Sequence, residues 1–287
     1  MQVSAFLGKD FAEQVDLIID RALEEDLGNI GDVTSKAVVG HGVGVQAEIF
    51  VKSPGTVAGL KVAEKVFKHL NGSIAFTPLV KDGDYADTGT RIALVSGDAL
   101  AILGAERTAL NFLQHLSGIA TETAKYKRAI EGYGVELLDT RKTTPGLRLL
   151  EKYAALAGGA VNHRFGLYDQ ILIKDNHIKI AGDIDKAVKQ ARKSYPNLKV
   201  EVEAETLDEV KAALEAKADI ILLDNMDTKM LKEAVAIIGD RAIKEASGGI
   251  TLANITEVAA TGVDRVSTGA ITQAAKPLDI SMEVICE

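Results

Sequence analysis

The chain has 287 residues, which is enough for one large α/β barrel or for two smaller domains. Hydrophobic residues make up 47% of the sequence and charged residues 26%, a composition typical of soluble globular proteins. The formal net charge of -8 argues against a general nucleic-acid-binding protein, because such a protein needs a basic surface to neutralise phosphates.

The sequence has none of the usual features of a membrane or secreted protein. No stretch approaches the roughly 20 uncharged apolar residues that span a bilayer. The first residues, MQVSAFLGKDFAEQ, lack the basic start and long apolar run of a secretory signal. The single cysteine, Cys286, cannot form a disulfide within the chain, which fits a reducing compartment. We therefore expect a cytoplasmic protein that binds neither membranes nor nucleic acid.

The first third of the chain predicts an α+β region. Residues 11–27 have apolar side chains at helical spacing and predict an amphipathic helix. Residues 43–51 alternate in the manner of a half-buried strand. Pro-Gly, Asn-Gly and Asp-Gly pairs mark turns between further short strands, and residues 62–70 predict a helix among them.

From residue 99 onward the pattern changes. A long helix is predicted for residues 99–130, with Ser117-Gly118 as the point where it could break. Apolar strands then alternate with helices. The predicted strands are 135–138, 160–161, 171–173, 199–202, 220–223, 242–246 and 264–266, and the predicted helices are 184–194, 207–214 and 230–237.

This alternation implies a parallel sheet. Six or seven strand–helix units favour an α/β barrel, complete or incomplete, and an open doubly wound sheet is the competing architecture. Residues 278–285 alternate again, and we expect them to return as a strand to the first domain.

Polar residues follow each predicted strand of this second region. Glu203, Asp224, Ser247 and Gly269 are spaced 21, 23 and 22 residues apart, so that each strand–helix unit supplies one of them in phase. Because chemistry in parallel barrels gathers at the carboxyl ends of the strands, we expect these residues to line one site.

The candidate residues divide by charge along the chain. The earlier strands supply Arg141, Lys142, His163, Arg164 and Lys174. A basic pocket in an acidic protein indicates a small anionic ligand rather than a polymer. Arginine suits carboxylates in particular, because its guanidinium fork binds them through two parallel hydrogen bonds.

The later strands supply acids and glycines. Glu203 and Asp224 could hold a divalent cation and ribose hydroxyls, since Mg²⁺ favours a few carboxylates together with substrate phosphates. Ser247-Gly248-Gly249 and Thr268-Gly269-Ala270 fit loops whose backbone amides bind phosphate late in a barrel.

Each of these residues also has a structural alternative. Arg141 and Lys142 are compatible with solvated loop charges, and Asp224-Asn225 with a cap of the next helix. Glu201 shares a face with Glu203, so that one of the two is compatible with a role as ion-pair partner only. Lys174 is compatible with a strand-end lysine that reaches solvent, and its alternative function is that of a Schiff-base nucleophile.

Three segments resemble the signature of quinolinate phosphoribosyltransferases. They are residues 138–148 (LDTRKTTPGLR), 162–167 (NHRFGL) and 173–177 (IKDNH), and residues 25–35 and 106–111 (ERTALN) support them. The resemblance extends over nearly the whole chain. It implies transfer of phosphoribosyl from phosphoribosyl pyrophosphate to quinolinate with decarboxylation, giving nicotinate mononucleotide, CO₂ and pyrophosphate in de novo NAD biosynthesis.

The same resemblance implies a fold and an assembly. The fold is an N-terminal α/β sandwich domain, residues 1–113 joined by a C-terminal strand at 276–287, plus an incomplete, seven-stranded α/β barrel at 114–275. The assembly is a homo-oligomer, a dimer or higher, in which Arg107 reaches the neighbouring site.

The resemblance assigns roles residue by residue. Substrate binding is expected of Arg107, Thr140, Arg141, Lys142, His163, Arg164, Lys174, Glu203, Asp224, Ser247, Gly248, Gly249, Thr268, Gly269 and Ala270. Lys142, Lys174, Glu203 and Asp224 are expected to be catalytic. Glu203 and Asp224 are expected to bind Mg²⁺, directly or through water. One departure is visible, because Gln273 stands where many members have histidine after the last phosphate loop.

Other functions remain compatible with the sequence. A relative with the same fold could use nicotinate or belong to the molybdenum-associated homologues, although the complete cationic set argues against both. A Schiff-base lyase built on Lys174 and a non-catalytic binding protein are the alternatives from other classes.

Overall fold

The computed structural model describes residues 9–285, with side chains from residue 12 onward, so that Cys286 lies outside the described residues. The chain forms two compact units. The first comprises the chain up to Ala124, together with Thr144–Gly159 and the residues from Ala274 onward. The second comprises Lys125–Thr143 and Ala160–Gln273.

The first unit combines helices with an antiparallel sheet. Its helices are α1 (Lys9–Leu27), α2 (Val33–Val38), α3 (Leu60–Leu70), most of α4 (Ala99–Ala129) and α5 (Arg148–Ala157). Its strands are β1 (Gly44–Val51), β2 (Gly55–Thr56), β3 (Ala75–Pro78), β4 (Tyr85–Ala86), β5 (Arg91–Asp98) and β12 (Ile280–Ile285).

Four of these strands form a sheet in the order β12-β1-β5-β3, and the pairs are antiparallel. The predicted C-terminal strand therefore does return to this unit, where Ile280 pairs with Val51. The inward residues of β1 are Ala47, Ile49 and Val51, and all three are buried. This alternation is the pattern that predicted the strand.

Helix α4 continues through Ser117 and Gly118 without the break that the sequence allowed. A Cβ atom at Gly118 would lie 2.2 Å from the carbonyl oxygen of Lys276, so the glycine permits close approach of the C-terminal segment. Ser117 Oγ donates to the Ala58 carbonyl. Among the described helices, none has both the length and the apolar character needed to cross a bilayer.

Helix α5 belongs to the first unit, although the predicted barrel domain at 114–275 included it. Its residues Leu150, Tyr153 and Ala154 are buried, and the Tyr153 hydroxyl donates to Asp82. Glu151 lies 2.9 Å from His115 of α4. These contacts place residues 144–159 in the first unit, because they bury side chains that a solvated barrel loop would expose.

The second unit alternates strands and helices. Its strands are β6 (Glu136–Leu138), β7 (Ile171–Ile173), β8 (Val200–Ala204), β9 (Ile220–Asp224), β10 (Ile243–Ser247) and β11 (Arg265–Ser267). Its helices are α6 (Asp175–Ala181), α7 (Ile184–Ser194), α8 (Leu207–Glu215), α9 (Thr228–Ile238), α10 (Ile255–Ala259) and α11 (Ala270–Gln273).

These strands form a parallel sheet in the order β6-β11-β10-β9-β8-β7. The first strand thus pairs with the last, as in a barrel rather than in an open doubly wound sheet. Val161 forms a parallel bridge with Leu138 and stands for the seventh strand. Among the described residues, no strand pairing joins Val161 to β7, so the barrel is incomplete, as expected.

Candidate active site

Most of the predicted site residues line one pocket of the second unit, with a volume of about 530 Å³. The pocket lies at the carboxyl ends of the parallel strands. Its lining residues are Thr140, Arg141, Lys142, His163, Arg164, Leu172, Lys174, Glu203, Leu222, Asp224, Asn225, Ser247, Gly248, Gly249 and Ser267. The expected gathering of polar residues at one edge of the sheet is therefore observed.

The sheet register places the residues on β8, β9 and β10. Glu203 is the second-to-last residue of β8 and pairs with Leu222 of β9. Asp224 is the last residue of β9 and pairs with Ser247 of β10. Paired residues on neighbouring strands present their side chains to the same face. The regular ladder alone therefore brings both carboxylates to the glycine loop that follows β10.

A second layer lies one step deeper on the same strands. Leu172, Glu201, Leu222 and Glu245 each precede a pocket residue by two positions, and all four are buried. Leu172 and Leu222 also line the pocket, although they were not predicted as site residues. The signal that could have found them is the period of two along a strand, which aligns them with Lys174 and Asp224.

Lys174 forms an ion pair with Glu203. Lys174 is the N-cap residue of α6, and its backbone amide donates to His177 Nδ1 at 2.9 Å. His177 is therefore a capping residue. The Glu203 side chain is 10% exposed and the Lys174 side chain is 45% exposed, so the ion pair connects a buried carboxylate to a more accessible ammonium group.

Arg141 and Arg164 bring two like charges together. Burial, with repulsion from Arg141, lowers the pKa of Arg164. Arg164 donates to the Gln170 carbonyl at 3.2 Å. Within the described part of the chain, Arg141 Nε is buried and has no hydrogen-bond partner. An anionic ligand suits this arrangement, because it would accept the hydrogen bond from Arg141 Nε and relieve the repulsion between the two arginines.

His163 lies between the two buried glutamates of the deeper layer. Its Nε2 is 3.3 Å from Glu201 and 3.3 Å from Glu245. Burial alone would lower the pKa of His163, but hydrogen bonds and charge from the two carboxylates raise it to about 9. The pKa of Glu201 is also raised, in its case by burial. The cluster therefore retains its protons to a higher pH than the separate residues would. Glu201 is thus the ion-pair partner that the sequence allowed.

One contact opposes a charged ring. The Arg164 amide donates to His163 Nδ1 at 2.7 Å, which favours a ring without a hydrogen on that atom. Before the cost of burial, an ionised carboxylate at 3.3 Å attracts the charged ring by roughly 5 kcal/mol at an effective dielectric of about 20. One neutral hydrogen bond contributes only about 1 kcal/mol. We therefore assign the charged form to His163 at neutral pH.

The same three groups have the composition of a metal site. Ligand atoms of His163, Glu201 and Glu245 all lie within 4.8 Å of one another. The charges of this cluster are balanced in part without a metal ion, because the His163 ring lies against both carboxylates.

The loop after β10 has the backbone expected of a phosphate-binding loop. Gly248 and Gly249 have φ angles of +85° and +61°, a region that favours glycine. Asn225 is one of two described non-glycine residues with positive φ, at +54°, and its Nδ2 donates to Asp224 at 2.7 Å. From the sequence, Asn225 was compatible with a cap of the next helix. That interpretation is wrong, because Asp227 caps α9 by accepting from the Met230 amide.

The second predicted phosphate loop is placed differently. Thr268, Gly269 and Ala270 are not among the residues that line the pocket, whereas Ser267 is. Thr268 Oγ1 donates to the Ile250 carbonyl, and a Cβ atom at Gly269 would lie 2.8 Å from Lys142 Cδ. This loop therefore packs against the side chain of Lys142, which lines the pocket.

Arg107 and Gln273 are not among the residues that line the pocket. Arg107 is exposed on α4 in the first unit and does not line this pocket. Gln273 ends α11, and its Oε1 would lie 3.2 Å from a Cβ atom at Gly269, so it contacts the same supporting loop.

The acidic pair fits the chemistry of Mg²⁺. Asp224 and Glu203 line the pocket beside the glycine loop, and carboxylates with substrate phosphates are the ligands that Mg²⁺ favours. Glu203 already pairs with Lys174, whereas among the described residues Asp224 accepts only a hydrogen bond from the uncharged Asn225 amide. Asp224 is therefore the better donor of the two.

Both parts of the chain match families of known proteins. Residues 32–117 match the family described as quinolinate phosphoribosyl transferase, N-terminal domain. Residues 119–283 match the family described as quinolinate phosphoribosyl transferase, C-terminal domain. Together the two matches cover most of the chain.

Individual relatives are similar over nearly their full length. The chain is 42% identical to the probable nicotinate-nucleotide pyrophosphorylase (carboxylating) of Bacillus subtilis, over 94% of this chain and 93% of the relative. It is 42% identical to the chloroplastic nicotinate-nucleotide pyrophosphorylase (carboxylating) of Arabidopsis thaliana, over 94% of this chain and 82% of the relative. The crystal structure of NadC from Streptococcus pyogenes matches with a TM-score of 0.92 at 41% identity, over 95% of this chain and 96% of that chain. Sequence and fold thus agree, and the chain belongs to the quinolinate phosphoribosyltransferase family.

Proposed function

We propose that the chain transfers the phosphoribosyl group of phosphoribosyl pyrophosphate to the ring nitrogen of quinolinate, and that loss of CO₂ then gives nicotinate mononucleotide. The observation that carries this proposal is the pocket of the second unit. It combines a set of cationic side chains, two carboxylates and a glycine loop in one cavity. The reaction requires all three, because its substrates are a dicarboxylate and a pyrophosphorylated ribose.

The cationic side of the pocket is proposed to bind quinolinate. Arg141 and Arg164 suit the two substrate carboxylates, and the buried Nε of Arg141 offers a donor without a protein acceptor among the described residues. Lys142 and Thr140 lie beside them. Both nitrogens of His163 already contact protein groups, so we propose that this residue adds positive charge beneath the substrate rather than a direct contact.

The acidic side is proposed to bind the ribose and pyrophosphate. In the transfer, the bond from the anomeric carbon to the pyrophosphate oxygen breaks and a bond to the ring nitrogen forms. Glu203 and Asp224 would stabilise the positive charge that develops on the ribose. Backbone amides of Ser247, Gly248 and Gly249 would hold phosphate oxygens. Mg²⁺, held by Asp224 with or without Glu203, would supply charge that neutralises the leaving pyrophosphate.

Decarboxylation then follows from the charge on the product. After transfer the ring nitrogen is cationic. The bond to the adjacent carboxylate breaks, the electron pair remains on the ring carbon beside this nitrogen, and a proton replaces the CO₂. Lys142 and Lys174 are proposed as catalytic because they are the two lysines that line this pocket.

The test is turnover of quinolinate with phosphoribosyl pyrophosphate and Mg²⁺, following both nicotinate mononucleotide and CO₂. Nicotinate serves as the parallel substrate. Formation of both products from quinolinate, with little turnover of nicotinate, supports the proposal. A preference for nicotinate, or no turnover by folded protein, would refute it.

A Schiff-base reaction at Lys174 is the alternative that this assay must also address. Lys174 is ion-paired with Glu203, and an ammonium group in an ion pair has no lone pair to attack a carbonyl carbon. We therefore expect no covalent trapping of a carbonyl substrate by borohydride, as measured by intact mass.

We further propose that the active form is a homo-oligomer in which Arg107 of one subunit completes the site of another. The exposure of Arg107 on α4 supports this proposal. Variants Arg107→Ala and Lys174→Ala would each be inactive, but mixed oligomers would contain some sites with both native residues. Recovery of activity on mixing and subunit exchange supports the shared site, whereas no recovery with proven exchange argues against it.

The expected cytoplasmic location stays a prediction.

A further inference from the structure

The cationic side of the pocket is built from segments with little regular structure. Strand β6 has three residues, and Val161 forms only a one-residue bridge with Leu138. No helix or strand is assigned to residues 140–143 or 162–164. Backbone ladders therefore do not fix the segments that contain Arg141 and Arg164, and side chains must do so.

Asp139 connects these two segments. It directly precedes residues 140–142, and it is 0% exposed. The His163 amide donates to Asp139 Oδ1 at 2.8 Å, and Asn162 Nδ2 donates to Oδ2 at 2.7 Å. The Asp139 amide donates to the Val161 carbonyl at 3.3 Å. Both carboxylate oxygens of one buried residue are thus engaged by the segment that contains Arg164.

We propose that Asp139 is a positioning residue that holds the two cationic segments at the spacing required by a dicarboxylate substrate. The inference rests on the proposed function, because it assumes that Arg141 and Arg164 bind that substrate together. Asp139 itself is not among the residues that line the pocket.

The chemistry of the contact explains why a carboxylate occupies this position. Burying a carboxylate is unfavourable unless hydrogen bonds compensate it. A carboxylate offers acceptors on both oxygens, whereas an amide offers one oxygen and two further donors. Asparagine at 139 would place its own amino group against that of Asn162, or would require Asn162 to turn. The two segments would then lose a charge-assisted contact and shift relative to each other.

Asp264 provides a control in the same unit, with a side chain that is 45% exposed. Its side chain accepts from the Lys244 amide at 2.8 Å and forms an ion pair with Lys244 Nζ at 3.1 Å, so it also joins two segments. It precedes β11 and therefore lies at the opposite end of the strands from the pocket. A general loss of rigidity would affect the variants of both residues, whereas a positioning role would affect only Asp139.

The experiment compares Asp139→Asn, Asn162→Ala and Asp264→Asn by quinolinate binding in titration calorimetry and by steady-state kinetics. We expect Asp139→Asn to weaken quinolinate binding by about tenfold or more, and Asn162→Ala by less, because the His163 amide still donates to Asp139 in that variant. Binding of phosphoribosyl pyrophosphate, which depends on the strand-end residues, should change by less than about twofold in both. Asp264→Asn should leave both affinities within about twofold of the wild type.

A double-variant cycle separates positioning from a merely structural role. In an Arg164→Lys background the arginine fork is already absent, so Asp139→Asn should weaken quinolinate binding further by less than it does alone. Fully additive effects, an equal loss of both substrate affinities, or the same quinolinate loss in Asp264→Asn would overturn the inference. Failure of the wild-type chain to bind quinolinate would instead overturn the proposed function.

Discussion

The two sides of the pocket are built differently. Glu203, Asp224 and Ser247 lie on β8, β9 and β10, which have five residues each and pair continuously. Arg141 and Arg164 lie after β6 and after a one-residue bridge, outside any helix or strand. The acidic side thus consists of strand ends, and the cationic side consists of irregular segments.

This difference determines what holds each side in place. On the acidic side the sheet ladder sets the side-chain positions, and few additional contacts are needed. On the cationic side buried polar groups replace the ladder. Asp139 binds the backbone at His163, and Glu201 contacts His163 while accepting from Gln170. We therefore expect substitutions on the two sides to affect different substrates.

The largest effect is expected from Arg164→Ala. Loss of two charge-assisted hydrogen bonds should lower kcat/KM for quinolinate by about 10³-fold, and Arg164→Lys should recover little of this because lysine lacks the fork. Steady-state kinetics at saturating phosphoribosyl pyrophosphate measures the change. The control is Arg192→Ala, which removes a half-buried arginine of α7 that pairs with Asp219. Retention of more than about a tenth of kcat/KM in Arg164→Ala would contradict a direct role.

The next largest effect is expected from Asp224→Asn on the other side of the pocket. The variant should raise KM for phosphoribosyl pyrophosphate by about 10- to 100-fold and require more Mg²⁺, since an amide is a weaker ligand than a carboxylate. Quinolinate binding should stay nearly unchanged. Asp208→Asn, at an exposed position of α8, is the control. Equal changes for both substrates would argue that the two sides do not act separately.

A smaller effect, on stability, is expected in the glycine loop of the acidic side. A Cβ atom at Gly248 would lie 2.3 Å from Asn225 Oδ1, whereas one at Gly249 meets nothing within 4 Å. Both residues have positive φ. Gly249→Ala should therefore lower the free energy of unfolding by about 1–2 kcal/mol, and Gly248→Ala by roughly 2–4 kcal/mol. Denaturant unfolding measures both, and equal losses would show that the steric contact is unimportant.

The acidic side could be predicted from the sequence because its signals are local. The predicted strand 171–173 and helix 184–194 coincide with β7 and α7, where apolar runs have clear ends. Regular spacing predicted that Glu203, Asp224 and Ser247 would meet at one edge, and the register confirms it. A parallel sheet converts even spacing along the chain into proximity in space.

The remaining features depend on which segments become neighbours. Helix α5 was not predicted, because its side chains pack on Asp82 and His115, which lie far from it in sequence. The contact of the loop at 268–270 with Lys142 likewise depends on the pairing of β11 with β6. Partners of this kind follow from strand order, which local periodicity does not encode.

His163 is the clearest example, and it leads to the smallest expected effect. Its partners Glu201 and Glu245 are recognisable only once β8 and β10 are known to face the same interior. Together they raise the pKa of His163 from its ordinary value of 6.5 to about 9. A raised pKa in the folded state contributes stability that is fully present below pH 6.5 and is lost as the pH rises through about 9.

Unfolding of the wild-type chain should therefore become easier by about 1 kcal/mol between pH 7 and pH 8, and further up to pH 9. The cause is loss of the proton that separates two buried carboxylates. The variant His163→Gln cannot lose this proton, so it should be less stable at pH 7 but should have a flatter dependence over the same range. Denaturant unfolding at each pH measures both slopes. Parallel slopes would mean that His163 is neutral in the folded protein, with the Arg164 amide at Nδ1 determining its state.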